Sequence, residues 1–272
     1  MGEHWYDYAT GKARYEMPKK GGGVRPASLA DARRHRFCPS STGILKFPFD
    51  EKHALTQHFV KESLLAVLSS PDIKVEIKGG RTIDEHVRMV LESRQEQRED
   101  SSASADWGTQ LHDAVNKALT GQVYDQKWVK WVELILSNLI GSHVASEVDL
   151  ASQQHGYGGR IDMVRRVAGK DVILDIKTTA KMPATERKEP YAEHCSQVAS
   201  YATMWAENQK LDYLPQGYIV YVQNETGLTR QWWNDEPQIR LLEVPDMPKH
   251  FAAFKALLDY WKIRKGYDPC KT

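Results

Sequence analysis

"GGRIDMVRRVAGKDVILDIKTT", Gly158 to Thr179, sets three charged residues, Asp162, Asp175 and Lys177, inside two runs that otherwise alternate like half-buried strands. The short joint "AGKD", with Gly169, marks a hairpin. A turn centred between Gly169 and Lys170 sets Asp162 opposite Lys177, and Asp175 opposite Val164. Side chains two apart on a strand share a face, so the three charges converge while Ile161, Met163, Leu174 and Ile176 point the other way into a core. Opposed Cβ atoms lie about 5 Å apart and diagonal ones about 7 to 8 Å, within reach of one common ion. Two carboxylates on one half-buried face repel each other and lose hydration, and a divalent cation relieves both better than one ammonium does. Hard oxygen ligands select Mg2+ or Mn2+. With Lys177 to stabilise a phosphate or orient a water, the trio suits metal-assisted attack on a phosphodiester. The simpler alternative for a lone D-x-K tripeptide is a structural Asp–Lys ion pair.

The rest of the composition narrows the setting. At 272 residues with 41% hydrophobic residues, the chain is long enough to bury a sizeable core. No apolar run approaches the roughly 18 to 20 residues of a membrane helix, and the first residues have no apolar signal-peptide centre. An intracellular, cytoplasmic protein without membrane contact is the expectation. Cys38, Cys195 and Cys270 are odd in number and far apart, so neither a disulfide framework nor a zinc ribbon is indicated. The net charge of +1 exerts no global pull on nucleic acid, although both ends of the chain are basic.

Residues 1–27, ending in "KKGGGVRP", are Gly-rich and polar and are expected to form a flexible basic arm. Residues 28–105 form a helical lobe in this reading. "PSSTGILKF" offers Ser and Thr caps, "HALTQHFVKESLLAVLSS" has helical period, and "TIDEHVRMVLESRQEQRED" is a highly charged helix before the hinge "SSASAD". From residue 106 to 272 the order becomes helix at Trp107–Ala118, helix at Val129–Leu139, strand "HVASEVDL", the hairpin, and helix "YAEHCSQVASYATMWAENQK". Strands "GYIVYVQ" and "TRQWW" and the closing helix "HFAAFKALLDYWKIRK" follow. This is an α/β core on a helical lobe.

The pattern resembles the PD-(D/E)XK (restriction-endonuclease-like) nuclease superfamily, with its αβββαβ core, and within it the RecB-type, lambda-exonuclease-like branch. Four motifs of that branch stand here in order: Gly108 to His112 in "WGTQLHDAV", "GRID" ending at Asp162, "DIK" at Asp175 to Lys177, and Gln197 to Tyr201 in "SQVASY". The resemblance covers about Trp107 to Val222. It implies that His112, Asp162, Asp175 and the Ile176 carbonyl hold the metal while Lys177 assists the attacking water. His112 stands at the edge of its helix face, one turn after Gly108, and imidazole is an acceptable ligand for Mn2+ or Mg2+. Gln197 and Tyr201 are i and i+4 on one helix face and can reach one phosphate or hold Lys177. Glu147, on the strand beside that of Asp162 and facing away from Val144 and Val148, is a candidate third carboxylate; a surface Glu is the other reading. The family's Pro is replaced by Ile161, three scattered Cys cannot clamp an iron–sulfur cluster, and no phosphate-binding loop of a helicase is present.

The leading expectation is therefore a metal-dependent DNA exonuclease acting on DNA ends or single strands, in recombination, repair or replication, as in phages or mobile elements. A single-strand-binding or annealing protein is a candidate accessory partner. Trp232, Trp233, Tyr218 and Tyr221 are candidates to stack bases. The alternatives are a structure-specific endonuclease of the same fold and a catalytically silent DNA-binding accessory protein.

Overall fold

A computed structural model describes residues 4–47, 105–179, 182–224 and 238–271. The chain divides into two compact units, one formed by residues 1–47 and 110–272 and the other by residues 48–109. The two helices expected between residues 53 and 100, and the strand "TRQWW" with Trp232 and Trp233, lie outside the described residues.

The larger unit is built on a five-stranded mixed sheet. Strand β6 (Ser142–Ser152) pairs antiparallel with β7 (Tyr157–Val167), and β7 with β8 (Lys170–Thr179). Helix α5 (Ala192–Gln209) then carries the chain over to β9 (Gln216–Gln223), which is parallel to β8, and β10 (Ile239–Glu243) closes the edge. Parallel neighbours need such a crossover, and the helical run "HCSQVASYATMW" supplies it with a face buried from Cys195 to Trp205. Ahead of the sheet stand a helix over residues 105–119 (α3) and α4 (Val129–Asn138), whose buried residues Leu111, Ala114, Val115, Val132 and Ile135 follow helical spacing. Helix α6 (Met247–Lys265) starts at an Asp246 N-cap and ends at Gly266 (φ 56°). It packs against α5, and its Phe254, Leu258 and Trp261 join Val198, Ala202, Ile173, Ile219 and Tyr221 in one core.

Two expectations about this unit are corrected. The hairpin turns between Ala168 and Gly169, both at positive φ (49° and 80°), with Val167 paired to Lys170. Its centre is one residue earlier than expected, so Met163 pairs with Leu174 and Val164 with Ile173, and Asp175 does not face Val164. The slip moves each partner by two residues, which preserves the alternation of faces; Ile161, Met163, Leu174 and Ile176 are all buried as expected.

The expected flexible arm is instead folded against the sheet. Strand β1 (Trp5–Asp7) pairs with β2 (Ala13–Arg14) and with β5 (Phe37–Pro39), and β3 (Glu16–Pro18) pairs with β4 (Val24–Pro26). Trp5 is 1% exposed and meets Trp261 edge to face at 6.1 Å. The apolar surface of "WYDY" needs burial, whereas the expectation rested on the Lys and Gly of the β3–β4 turn. Residues 28–47 also belong to the larger unit, with α1 (Leu29–His35) capped reciprocally by Ser28 and Asp31 and a helix over residues 41–47 (α2). The three cysteines are free, and among the described residues no helix is long and apolar enough to cross a membrane.

Candidate metal centre

Where β7 and β8 stop pairing, after Met163 and Leu174, their charged residues gather. Asp162 Oδ2 accepts a hydrogen bond from the Ile176 N–H at 2.8 Å. Two residues apart on β8, Asp175 and Lys177 share a face, and Lys177 Nζ lies 2.7 Å from Asp175 Oδ2. That oxygen is buried, in a residue only 1% exposed, with the Lys177 ammonium as its ion-pair partner and no aligned hydrogen bond. From the other side, α3 brings His112 Nδ1 to 3.5 Å from Asp162 Oδ2 and 3.7 Å from Glu147 Oε1.

Glu147 reaches this point through a break in its strand. It adopts φ 52°, in the left-handed region that a residue with a side chain rarely occupies. The β6–β7 ladder pairs Ser146 with Met163 and Val148 with Ile161 but skips the Glu147–Asp162 position between them. Such strain persists where the surroundings hold it, and it concentrates at functional sites. Arg160, two residues before Asp162, binds Asp149 through Nε (2.7 Å) and Nη2 (3.0 Å) and comes within 3.8 Å of Glu147 Oε2. The sequence reading passed over this arginine, although its place in "GRID" is the signal that would have found it.

The electrostatics are those of buried carboxylates packed against basic groups. Burial opposes ionisation of Asp162, but His112, Lys177 and the Ile176 N–H outweigh it and hold the carboxyl below the usual range. Burial pushes Asp175 up to about 6, with Lys177 opposing and Asp162 adding to the rise. His112, despite burial, is pushed up to about 10 by Asp162 and Glu147. The His112 imidazolium and the Lys177 ammonium are thus the cations these carboxylates have at hand.

One ligand atom each from His112, Glu147 and Asp162 lies within 4.8 Å of the others. This imidazole and two carboxylates, beside the buried Asp175 carboxylate, fit a hard divalent cation. Gln197 and Tyr201 stand in the same neighbourhood: Gln197 Nε2 donates to the Tyr201 hydroxyl at 2.8 Å, and burial, then the Asp175 and Asp162 charges, raise the Tyr201 hydroxyl far above its ordinary value. The two glycines ahead of Arg160 make room for the arrangement. A Cβ on Gly159 would stand 2.6 Å from the Tyr201 ring, and one on Gly158 would stand 2.4 Å from Tyr6 Cβ.

The aromatics expected to stack bases are placed otherwise. Tyr221 is 1% exposed and hydrogen-bonded through its hydroxyl, so its ring faces are unavailable. Tyr218 pairs with Leu174 and projects from the sheet face opposite to Lys177.

A search of curated proteins finds no match. A solved structure titled "Crystal structure of SSO0001" aligns over 78% of this chain and 87% of its own at 17% identity, with a TM-score of 0.32, too low to carry an argument. The profile of the PD-(D/E)XK nuclease superfamily matches residues 53–263, which take in every residue of the cluster. With most of its length matched and the mixed sheet carrying Asp162 and Asp175 on its inner strands β7 and β8, the chain belongs to the PD-(D/E)XK nuclease superfamily.

Proposed function

We propose that the protein is a divalent-metal-dependent deoxyribonuclease of the RecB-type branch that hydrolyses phosphodiester bonds from DNA ends. The observation that carries this reading is the convergence of His112, Glu147 and Asp162 beside the buried Asp175–Lys177 pair. His112, Glu147, Asp162, Asp175 and the Ile176 carbonyl would hold the Mg2+ or Mn2+. When bound, the cation supplies charge neutralisation at the scissile phosphate and acidifies the attacking water.

The remaining work falls to the chain's own groups. Lys177, held by Asp175, keeps an ammonium beside the carboxylates, where it orients a water and stabilises the negative charge that builds on the phosphate. Gln197 fixes the Tyr201 hydroxyl, and the pair orients Lys177 and a phosphate oxygen. The Ile176 N–H locks one Asp162 oxygen toward β8. Action from ends is supported by the motif set of Gly108, His112, Asp162, Asp175, Lys177, Gln197 and Tyr201. A role in recombination, repair or replication goes with that branch.

The test is incubation of end-labelled linear single-stranded, linear duplex and closed circular DNA with Mg2+, Mn2+ or EDTA, beside Asp175→Ala and Lys177→Ala. Loss of linear DNA only with metal, with inactive variants and surviving circles, is the expected result. Cut circles would convert the reading to an endonuclease. Folded protein that binds DNA and cuts none would establish the silent DNA-binding alternative.

A further inference from the structure

Three residues in register across the sheet point beyond the metal centre. Lys177 on β8 is paired with Tyr221 on β9, and Tyr221 with Arg240 on β10, so their side chains leave the sheet on one face. Each organises what lies above it. The Tyr221 hydroxyl contacts His194 Nδ1 at 2.8 Å and accepts the Tyr191 N–H at 3.2 Å, which fixes the start of α5. The Arg240 guanidinium donates to the carbonyls of Pro183 (3.2 Å) and Thr185 (2.8 Å) and to those of Ala184 and Arg187. One side chain thus holds residues 183–187, in the stretch between β8 and α5.

That segment ends in an exposed aromatic ring. Tyr191 is 40% exposed, and its ring meets His194 at 5.7 Å and 88° and Tyr221 at 6.0 Å and 83°. The Arg187 guanidinium lies over one face of this ring, its carbon 4.4 Å from the centroid. His194 in turn lies within electrostatic reach of Lys177. A ring set perpendicular to two neighbours and capped on one face by a guanidinium has little rotamer freedom left to lose on binding, and that guanidinium suits an anion and itself stacks on planar groups. An aromatic face with an adjacent cation is the equipment for stacking one base and gripping its phosphate, and it is tolerant of sequence because every base has a π-face.

We infer that Tyr191, with Arg187 beside it and Arg240 holding the segment in place, is a stacking subsite for a nucleobase of a single-stranded stretch next to the scissile phosphate. This rests on the nuclease reading and adds its substrate class. Paired bases of an intact duplex do not offer their faces to such a ring, so the subsite selects single strands or frayed ends.

The experiment measures fluorescence anisotropy of labelled single-stranded and duplex oligonucleotides with the full chain, Ca2+ replacing Mg2+ to suppress cleavage. Single abasic positions are walked along the single strand. Tyr191→Ala is expected to bind the single strand about 5- to 150-fold more weakly, the loss of one stacked base, while Tyr191→Phe and Tyr191→Trp bind like the wild type. One abasic position should weaken the wild type and leave Tyr191→Ala unaffected. Arg240→Lys should weaken the same binding, and Mn2+ affinity should be unchanged in the Tyr191 and Arg240 variants. A flat abasic scan, equal binding by Tyr191→Ala, or an equal loss in Tyr191→Phe overturns the subsite. If wild type still cuts DNA in any of those cases, the nuclease reading stands without it. A wild type that neither binds nor cuts nucleic acid overturns both.

Discussion

Asp162 Oδ2 on β7 accepts the backbone N–H of Ile176 on β8 at 2.8 Å, immediately beyond the last ladder pair, Met163 with Leu174. A side chain here takes over the hydrogen bond that the parted strands no longer make. It also fixes the carboxylate beside Asp175 and Lys177, so one bond links the end of the ladder to the chemistry. Asp162→Asn, which keeps an acceptor and removes the charge, is expected to abolish cleavage with stability within about 1 kcal/mol of wild type. Asp162→Ala should lose activity and also about 1–3 kcal/mol, because the Ile176 N–H is left without its partner. Urea unfolding of both variants beside a cleavage assay checks the split.

Lys177→Ala should lower the cleavage rate by about 10²- to 10³-fold, the scale of removing one preorganised electrostatic group. It also strands Asp175, 1% exposed, without its ion-pair partner. Removing one member of a buried pair costs about 3–5 kcal/mol where the remaining charge persists. It costs less here, because Asp175, already pushed up to about 6, takes up a proton once Lys177 no longer opposes the rise. The Asp175→Asn/Lys177→Met double variant is therefore expected to be as inactive as the single one but more stable. Thermal melts of the two, compared at pH 7, decide this.

Glu147→Gln should weaken Mn2+ binding at least about tenfold, as read by calorimetric titration, because it deletes one of two carboxylates whose atoms lie within 4.8 Å of each other and of His112. Arg160→Gln should produce a smaller loss, since Arg160 contacts Glu147 from outside at 3.8 Å. Chelation with EDTA is expected to abolish cleavage, and added Mn2+ to restore it.

Trp5→Ala should destabilise the protein by about 3–5 kcal/mol, as for a large aromatic removed from a core. A flexible arm would show no effect. The urea midpoint of the variant, with the slope unchanged, measures the difference.

Asp31 supplies a pH-dependent stability contribution through its pair with Arg25. Its carboxylate is held below its ordinary value of 3.8 by the paired Arg25 guanidinium (2.6 and 2.7 Å) and by Ser28, against the effect of burial. A depressed carboxyl stabilises the fold above pH 3.8 and loses that contribution as pH falls through its folded value. Asp31→Asn should thus be less stable than wild type at pH 7, by about 1 kcal/mol for the weakened helix cap. The gap between their urea midpoints should close below pH 3.8.

The residues of the site were legible where chemistry and period coincide. Asp162, Asp175 and Lys177 stand out because charges interrupt apolar alternation, Gln197 and Tyr201 because helical spacing sets them on one face, and His112 because it stands one turn after Gly108. What misled was local composition. The Lys- and Gly-rich turn near residue 20 outweighed Trp5 and Tyr6, whose burial depends on Trp261 and Gly158, more than a hundred residues away in the chain. The turn was misplaced by one residue because Ala168, not Gly169 alone, takes the left-handed conformation.

The sequence by itself determined the order of elements, the superfamily and most of the charged cluster, since periodicity and residue type are local properties. Only the tertiary structure decided that Glu147 enters the cluster through a left-handed break in β6. It alone shows that Tyr221 is sealed in the core while Tyr191 stands in solvent, and that Arg240 holds residues 183–187. These depend on register across strands distant in sequence and on strain that the surrounding packing sustains. Neither leaves a periodic trace along the chain.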